Sequence, residues 1–121
     1  MENKRSPYDW SRVGEDKVDE PTKDVLDRLK KTGCKIIICT GRDGVCIDET
    51  EQWLRLNNIP YDEIYIRNKG DQRPDWVVKE EMWRKIAEDN YIVGMFDDRL
   101  QVVRRARALG LKVFNVEYGN F

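Results

Sequence analysis

Three short clusters in this chain of 121 residues carry side chains that can handle a phosphate group. Thr40-Gly41-Arg42 follows an Ile-rich run, and a hydroxyl beside open backbone N–H groups can hold phosphate oxygens. Asp75 and Lys79 stand one helical turn apart, just after Arg73, and a lysine supplies compact positive charge. Asp97 and Asp98 end the run YIVGMF. Two adjacent carboxylates repel unless something positive sits beside them. Such a pair suits Mg²⁺, which prefers hard oxygen ligands and keeps several waters. Together these are parts of a phosphoryl-transfer site. The chain has no histidine, so Ser-His-Asp and Cys-His catalysis and histidine metal sites are excluded. Its three cysteines, Cys34, Cys39 and Cys46, lack zinc-ligand spacing.

Each cluster also has a plainer reading. Thr40-Gly41-Arg42 serves equally as a strand-to-helix turn. Asp98 suits the N-cap of a helix starting at Arg99. Taken alone, Lys79 reads as a solvated helix lysine, Asp75 as a cap or loop acid, and Arg42 as a surface arginine. The Trp and Met residues on helices read as core, and the cysteines as small buried apolar residues. The order of the clusters along the chain favours chemistry: strand–Thr, then helical Lys, then strand–Asp-Asp.

The elements that must position these residues are legible in the pattern. Residues 1–20 are polar and read as a loop or arm. EPTKDVLDRLKKTG reads as a helix, with Val25, Leu26 and Leu29 as its stripe, Pro21 in the first turn and Gly33 at the C-terminal cap. Residues 34–40 are apolar without alternation, the mark of a strand covered on both faces. GRDG reads as a turn. A helix capped by Asp48 runs to about Asn58, with Trp53, Leu54 and Leu56 as its apolar residues. Residues 61–67 read as a second strand and NKGDQRPD as a loop. Residues 76–89 form an amphipathic helix with Val78, Met82 and Ile86 at steps of four. A buried strand at 91–96, a helix from Arg99 to Leu109 and a strand at 111–118 complete the order. Repeated strand–helix units mean a parallel α/β sheet with helices on its faces. Ligands then bind at the carboxyl ends of the strands, where the three clusters lie.

Composition removes several alternatives. The length suits one domain spanning 1–121. Acids (23) nearly balance bases (22), for a net charge of −1, which argues against sequence-independent coating of DNA. No apolar run is long enough to span a membrane, and MENKRSPYDW lacks a signal-peptide core. Missing export signals and an odd number of cysteines make the cytoplasm the expected compartment. A nucleotide-binding Rossmann module is disfavoured because G-x-G-x-x-G is absent.

The order of clusters resembles the haloacid-dehalogenase (HAD) superfamily of phosphatases. Its second motif is a Ser or Thr ending a strand, here Thr40; its third is a Lys, here Lys79; its fourth is an acidic pair, here Asp97 and Asp98. RSPYDW, TGRDG, RNKGDQRPDWVVKEEMW, FDDRLQVV and YGNF look like the 3′-phosphatase domain of bacteriophage polynucleotide kinase. The resemblance implies a three-layer, Rossmann-like parallel sheet and Mg²⁺-dependent removal of a 3′-phosphate from a nucleic acid end or nucleotide. It implies that Thr40 and Gly41 bind the phosphate with support from Arg42. It further implies that Asp75 orients Lys79, that Asp97 and Asp98 hold Mg²⁺, and that Arg67 and Arg73 lie near the substrate end.

The family's first motif, a strand ending in Asp-x-Asp-Gly-Thr that supplies the nucleophile, does not occur in the 121 residues. In the family, sequence like MENKRSPYDW follows that motif closely, so Met1 reads as an internal methionine and the sheet as lacking its first central strand. Two expectations follow. The chain as given is catalytically inactive, and the open strand edges lead to homo-oligomers or strand exchange. The alternative is a non-catalytic remnant that binds phosphate or nucleic acid ends, or serves as an assembly partner.

Overall fold

The computed structural model describes residues 19–116. The arm expected over 1–20 lies outside them apart from its last two residues, as do RSPYDW and YGNF. The elements run α1 (Glu20–Lys31), β1 (Ile37–Asp43), a single 3₁₀ turn (Gly44–Cys46), α2 (Ile47–Leu56), β2 (Glu63–Arg67), α3 (Asp75–Asp89), β3 (Met95–Asp97), α4 (Leu100–Ala108) and β4 (Val113–Asn115). The parallel α/β class is present. β1 pairs with β2 and β3 with β4, each pair parallel, as separate two-stranded sheets among the described residues. None of the described helices is long and apolar enough to cross a membrane.

The chain divides into two compact units, one ending at Asp71 and the other beginning at Gln72. In the first, Asp19 caps α1 by accepting from the Thr22 N–H, and Pro21 occupies the first turn, where its missing N–H has no helical partner anyway. Gly33, at φ +96°, turns the chain out of the helix. The Asp62 carboxylate accepts from the Ile36 N–H at 2.7 Å and pairs with Lys30, which ties the C-terminal turn of α1 to the start of the β1–β2 pair. Ile36, Cys46, Thr50 and Leu54 are buried here.

In the second unit, Val78, Met82, Trp83 and Ile86 of α3 pack with Val102, Val103 and Ala106 of α4 and Val113 of β4 as its buried apolar residues. Phe96 and Phe114 stack across the β3–β4 pair, with ring centroids 5.1 Å apart. Between α3 and α4, the Glu80 carboxylate takes Arg105 Nε at 2.6 Å and Arg84 Nη2 at 2.8 Å, and the Arg105 guanidinium lies over the Trp76 ring.

Several sequence expectations shift. β1 is half-buried along its whole length instead of covered on both faces, and it has a paired neighbour on one edge only among the described residues. It also continues through Gly41, Arg42 and Asp43, which the sequence suggested were a turn. Asp48 is not the cap of α2. The 3₁₀ turn carries the chain into the helix two residues earlier, with Cys46 at the N-cap position, and Asp48 sits in the first turn, where its charge complements the helix dipole. Leu56 is exposed, since it lies at the last position of α2 beyond the buried stripe. Tyr91 and Val93 are exposed as well, and β3 begins only at Met95, where pairing with β4 starts.

Candidate phosphate-handling sites

In the first unit, Thr40, Gly41, Arg42 and Arg67 come together at the carboxyl end of β1. The register passes from Thr40↔Ile66 directly to Asp43↔Arg67, so Gly41 and Arg42 stand out of the ladder as a bulge. Bulges re-aim backbone and side chains where strands end, often beside functional sites. Thr40 Oγ1 accepts from the Arg42 N–H at 3.1 Å. The Arg42 amide is thus engaged by the hydroxyl oxygen, while the Thr40 O–H remains a donor that can meet a phosphate oxygen. Arg67 is 8% exposed, and its guanidinium faces inward. Its Nε donates to the Gly41 carbonyl at 2.7 Å and its Nη1 to the Asp71 carbonyl at 2.9 Å.

Asp43, which none of the sequence clusters includes, braces the same turn. Its carboxylate accepts from Val45 N–H at 2.9 Å and from Gly70 N–H at 2.8 Å. Those two backbone bonds hold its carboxyl below the usual carboxylate range. The signal was present: an Asp followed by Gly after a strand marks an Asx turn.

In the second unit, the helical spacing of Asp75 and Lys79 puts both on one face of α3. That face is the buried one. Lys79 is 8% exposed, between Val78 and the Met82–Trp83 pair, and is not a solvated lysine. Its ammonium donates to Asp97 Oδ2 at 2.9 Å and lies 3.5 Å from Asp75 Oδ2. Arg99 closes the web from the other side: its Nη1 is 3.3 Å from Asp75 Oδ2, and its backbone N–H donates to Asp97 Oδ1 at 2.9 Å. Two cations and two anions thus alternate where the side chains of Asp75, Lys79 and Asp97 are each no more than a tenth exposed. Burial of charge is tolerable only with such pairing.

Asp97, not Asp98, caps the turn into α4. The helix starts at Leu100, and Arg99 takes the N-cap position without a side-chain cap bond of its own. This leaves Asp98 as the carboxylate outside the Lys79–Asp75–Arg99 web. Asp98 beside Asp97 fits Mg²⁺, which needs one or two protein carboxylates and completes its shell with water and substrate oxygens. Among the described residues no group of three or more His, Cys, Asp or Glu side chains forms a fuller metal cage. Arg73 forks onto Glu81, at 2.7 and 2.9 Å, on the exposed side of the unit.

A parallel α/β chain with a bulged Thr-Gly-Arg turn, a buried lysine between carboxylates and an acidic pair at a strand end belongs among phosphate-handling proteins. The sequence matches the family described as the polynucleotide kinase PNKP phosphatase domain over residues 1–121, and the chain belongs to that family. Two solved structures share its fold. One, of the Pnkp1/Rnl/Hen1 RNA repair complex, is 36% identical with a TM-score of 0.89, covering 98% of this chain and 39% of that one. The other, also of a Pnkp1/Rnl/Hen1 complex, is 35% identical with a TM-score of 0.90, covering all of this chain and 43% of that one. The chain thus spans about two-fifths of the solved chains it matches, and its HAD-like fold is the fold of that part.

Proposed function

We propose that this domain is the phosphate-holding and charge-neutralising part of a Mg²⁺-dependent polynucleotide 3′-phosphatase. The observation that carries the reading is Lys79, held at 2.9 Å from Asp97 and 3.5 Å from Asp75 in a nearly dry setting. A lysine so placed is fixed before substrate arrives, and its charge acts in a low dielectric, where preorganised charges count most in a transition state. Asp75 and Asp97 orient the ammonium, and Arg99 keeps the cluster neutral. The Thr40 hydroxyl and the Gly41 amide offer donors for phosphate oxygens, and the Arg42 amide joins them once it leaves Thr40 Oγ1. Asp97 and Asp98 would hold Mg²⁺, which supplies charge neutralisation on the transferring phosphoryl group.

The substrate class we favour is a 3′-phosphorylated RNA end. Family membership supports the phosphatase half of that statement, the RNA repair complex that holds one structural relative supports the nucleic acid, and the Pnkp1/Rnl/Hen1 assembly of both suggests protein partners. A second reading rests on the sequence itself: the 121 residues contain no Asp-x-Asp-Gly-Thr, so on their own they bind phosphate ends without turning them over. One assay separates the two. Release of phosphate from 3′-phosphorylated oligonucleotides is measured with the chain alone and with the chain extended by a strand ending in Asp-x-Asp-Gly-Thr. Activity in the extended protein supports the first reading, and binding without activity in both supports the second.

A further inference from the structure

We propose that Asp43 is a positioning residue for the phosphate turn, fixing the shape of Thr40-Gly41-Arg42 by bridging it to the loop after β2. The proposal rests on the reading of that turn as a phosphate site and gives a role to Asp43, which the TGRDG stretch contains but to which the resemblance attaches no function.

Four observations in the first unit converge on it. The bulge lifts Gly41 and Arg42 out of the β1–β2 ladder, so the ladder itself does not define their geometry. Arg67 pins the bulge from one side through the Gly41 carbonyl. Asp43 pins it from the other, with one carboxylate oxygen on Val45 N–H and the second on Gly70 N–H. Gly44 lets the two segments approach closely: a Cβ there would lie 2.9 Å from the Arg67 carbonyl oxygen and 3.3 Å from the Lys69 nitrogen, both backbone atoms.

The two bonds of Asp43 have separable consequences. The bond to Val45 is local and caps the 3₁₀ turn. The bond to Gly70 spans 27 residues and joins the phosphate turn to the neighbouring loop. A turn held at both ends loses less conformational entropy on binding an anion than a free one does, so losing the bridge weakens binding more than it weakens the fold. A serine at this position keeps a hydroxyl for Val45 N–H but is too short and has too few acceptors to serve Gly70 as well.

The test is a titration of inorganic phosphate into the ¹⁵N-labelled chain, following the amide signals of Gly41 and Arg42. Wild type is compared with Asp43→Ser and Asp43→Ala, and melting temperature is recorded for each. The expected result is a saturable shift in wild type and a midpoint raised about tenfold in both variants. Asp43→Ser should melt within a few degrees of wild type, because it keeps the cap, so it remains informative if Asp43→Ala does not fold. A wild-type midpoint in Asp43→Ser overturns the proposal while leaving the phosphate reading intact. Gly41 and Arg42 amides that do not move in wild type overturn the phosphate reading and the proposal together.

Discussion

The Lys79 ammonium and the Asp97 carboxylate meet at 2.9 Å, joining α3 to β3 across 18 residues of chain in a place where each side chain is at most a tenth exposed. Neither group is placed there by its own propensity. Lysine and aspartate are among the residues least often fully buried without a partner. Each is tolerated because the other is present, and each therefore reports on the other.

Removing one partner should expose that dependence. Lys79→Met leaves Asp97 and Asp75 buried with one cation fewer, and breaking a buried pair from one side costs about 3–5 kcal/mol. Adding Asp97→Asn to Lys79→Met should recover part of the loss, which a double-mutant cycle by urea unfolding measures. Additive losses would mean that the two side chains do not interact.

Divalent binding should require the acidic pair. On the proposed function, Asp98, which stands outside the lysine web, and its neighbour Asp97 would supply the protein oxygens Mg²⁺ needs. Titration of Mg²⁺ or Mn²⁺ by calorimetry should give weak binding to wild type and none to the Asp97→Asn, Asp98→Asn double variant. Equal binding by both proteins would remove the acidic pair as the site.

Acid should weaken the second unit through Glu80. Arg105 and then Arg84 hold its carboxyl down from 4.5 to about 2. A group whose folded value is depressed contributes stability fully present above its unfolded value and lost as pH falls through the folded one. The loss therefore belongs between pH 4.5 and about 2. Glu80→Gln should flatten the slope of stability against pH in that window and leave it unchanged near pH 7. A variant slope identical to wild type would show that the pair does not titrate with folding.

Self-association should accompany the two-stranded sheets. A two-stranded sheet is marginal alone, and an open strand edge is a template for another chain. Light scattering over a dilution series should show mass falling with concentration. A compact monomer at every concentration, with cooperative melting, would mean that the edges are closed within the chain.

Much of this was legible in the sequence, and the exceptions have physical causes. The strand–helix alternation gave the parallel α/β class because periodicity and Gly, Pro and Asp punctuation are local signals. The burial of Lys79 was missed by reading it alone as a solvated lysine, although Asp75, Lys79, Met82, Trp83 and Ile86 share one helical face and the lysine lies within the apolar stripe. Arg99 was not legible, because its side chain contacts Asp75 only after folding brings α3 and the start of α4 together. Nor was the inward turn of Arg67, whose partners are carbonyls that carry no sequence signature. The extents of β1 and β3 were missed because strand ends are set by the partner strand: bulge pairing lengthens β1, and late pairing with β4 shortens β3.

On the proposed function, Lys79, held between Asp75 and Asp97, serves phosphate removal from nucleic acid 3′ ends. The most direct measurement is Mg²⁺-dependent phosphate release from a 3′-phosphorylated RNA oligonucleotide by the chain extended with a strand ending in Asp-x-Asp-Gly-Thr, with and without Lys79→Ala. The predicted result is release that requires both the extension and Mg²⁺ and falls on the order of a hundredfold or more in Lys79→Ala, as loss of a transition-state charge partner does. A folded extended protein that releases no phosphate, or one whose rate is indifferent to Lys79→Ala, would contradict it.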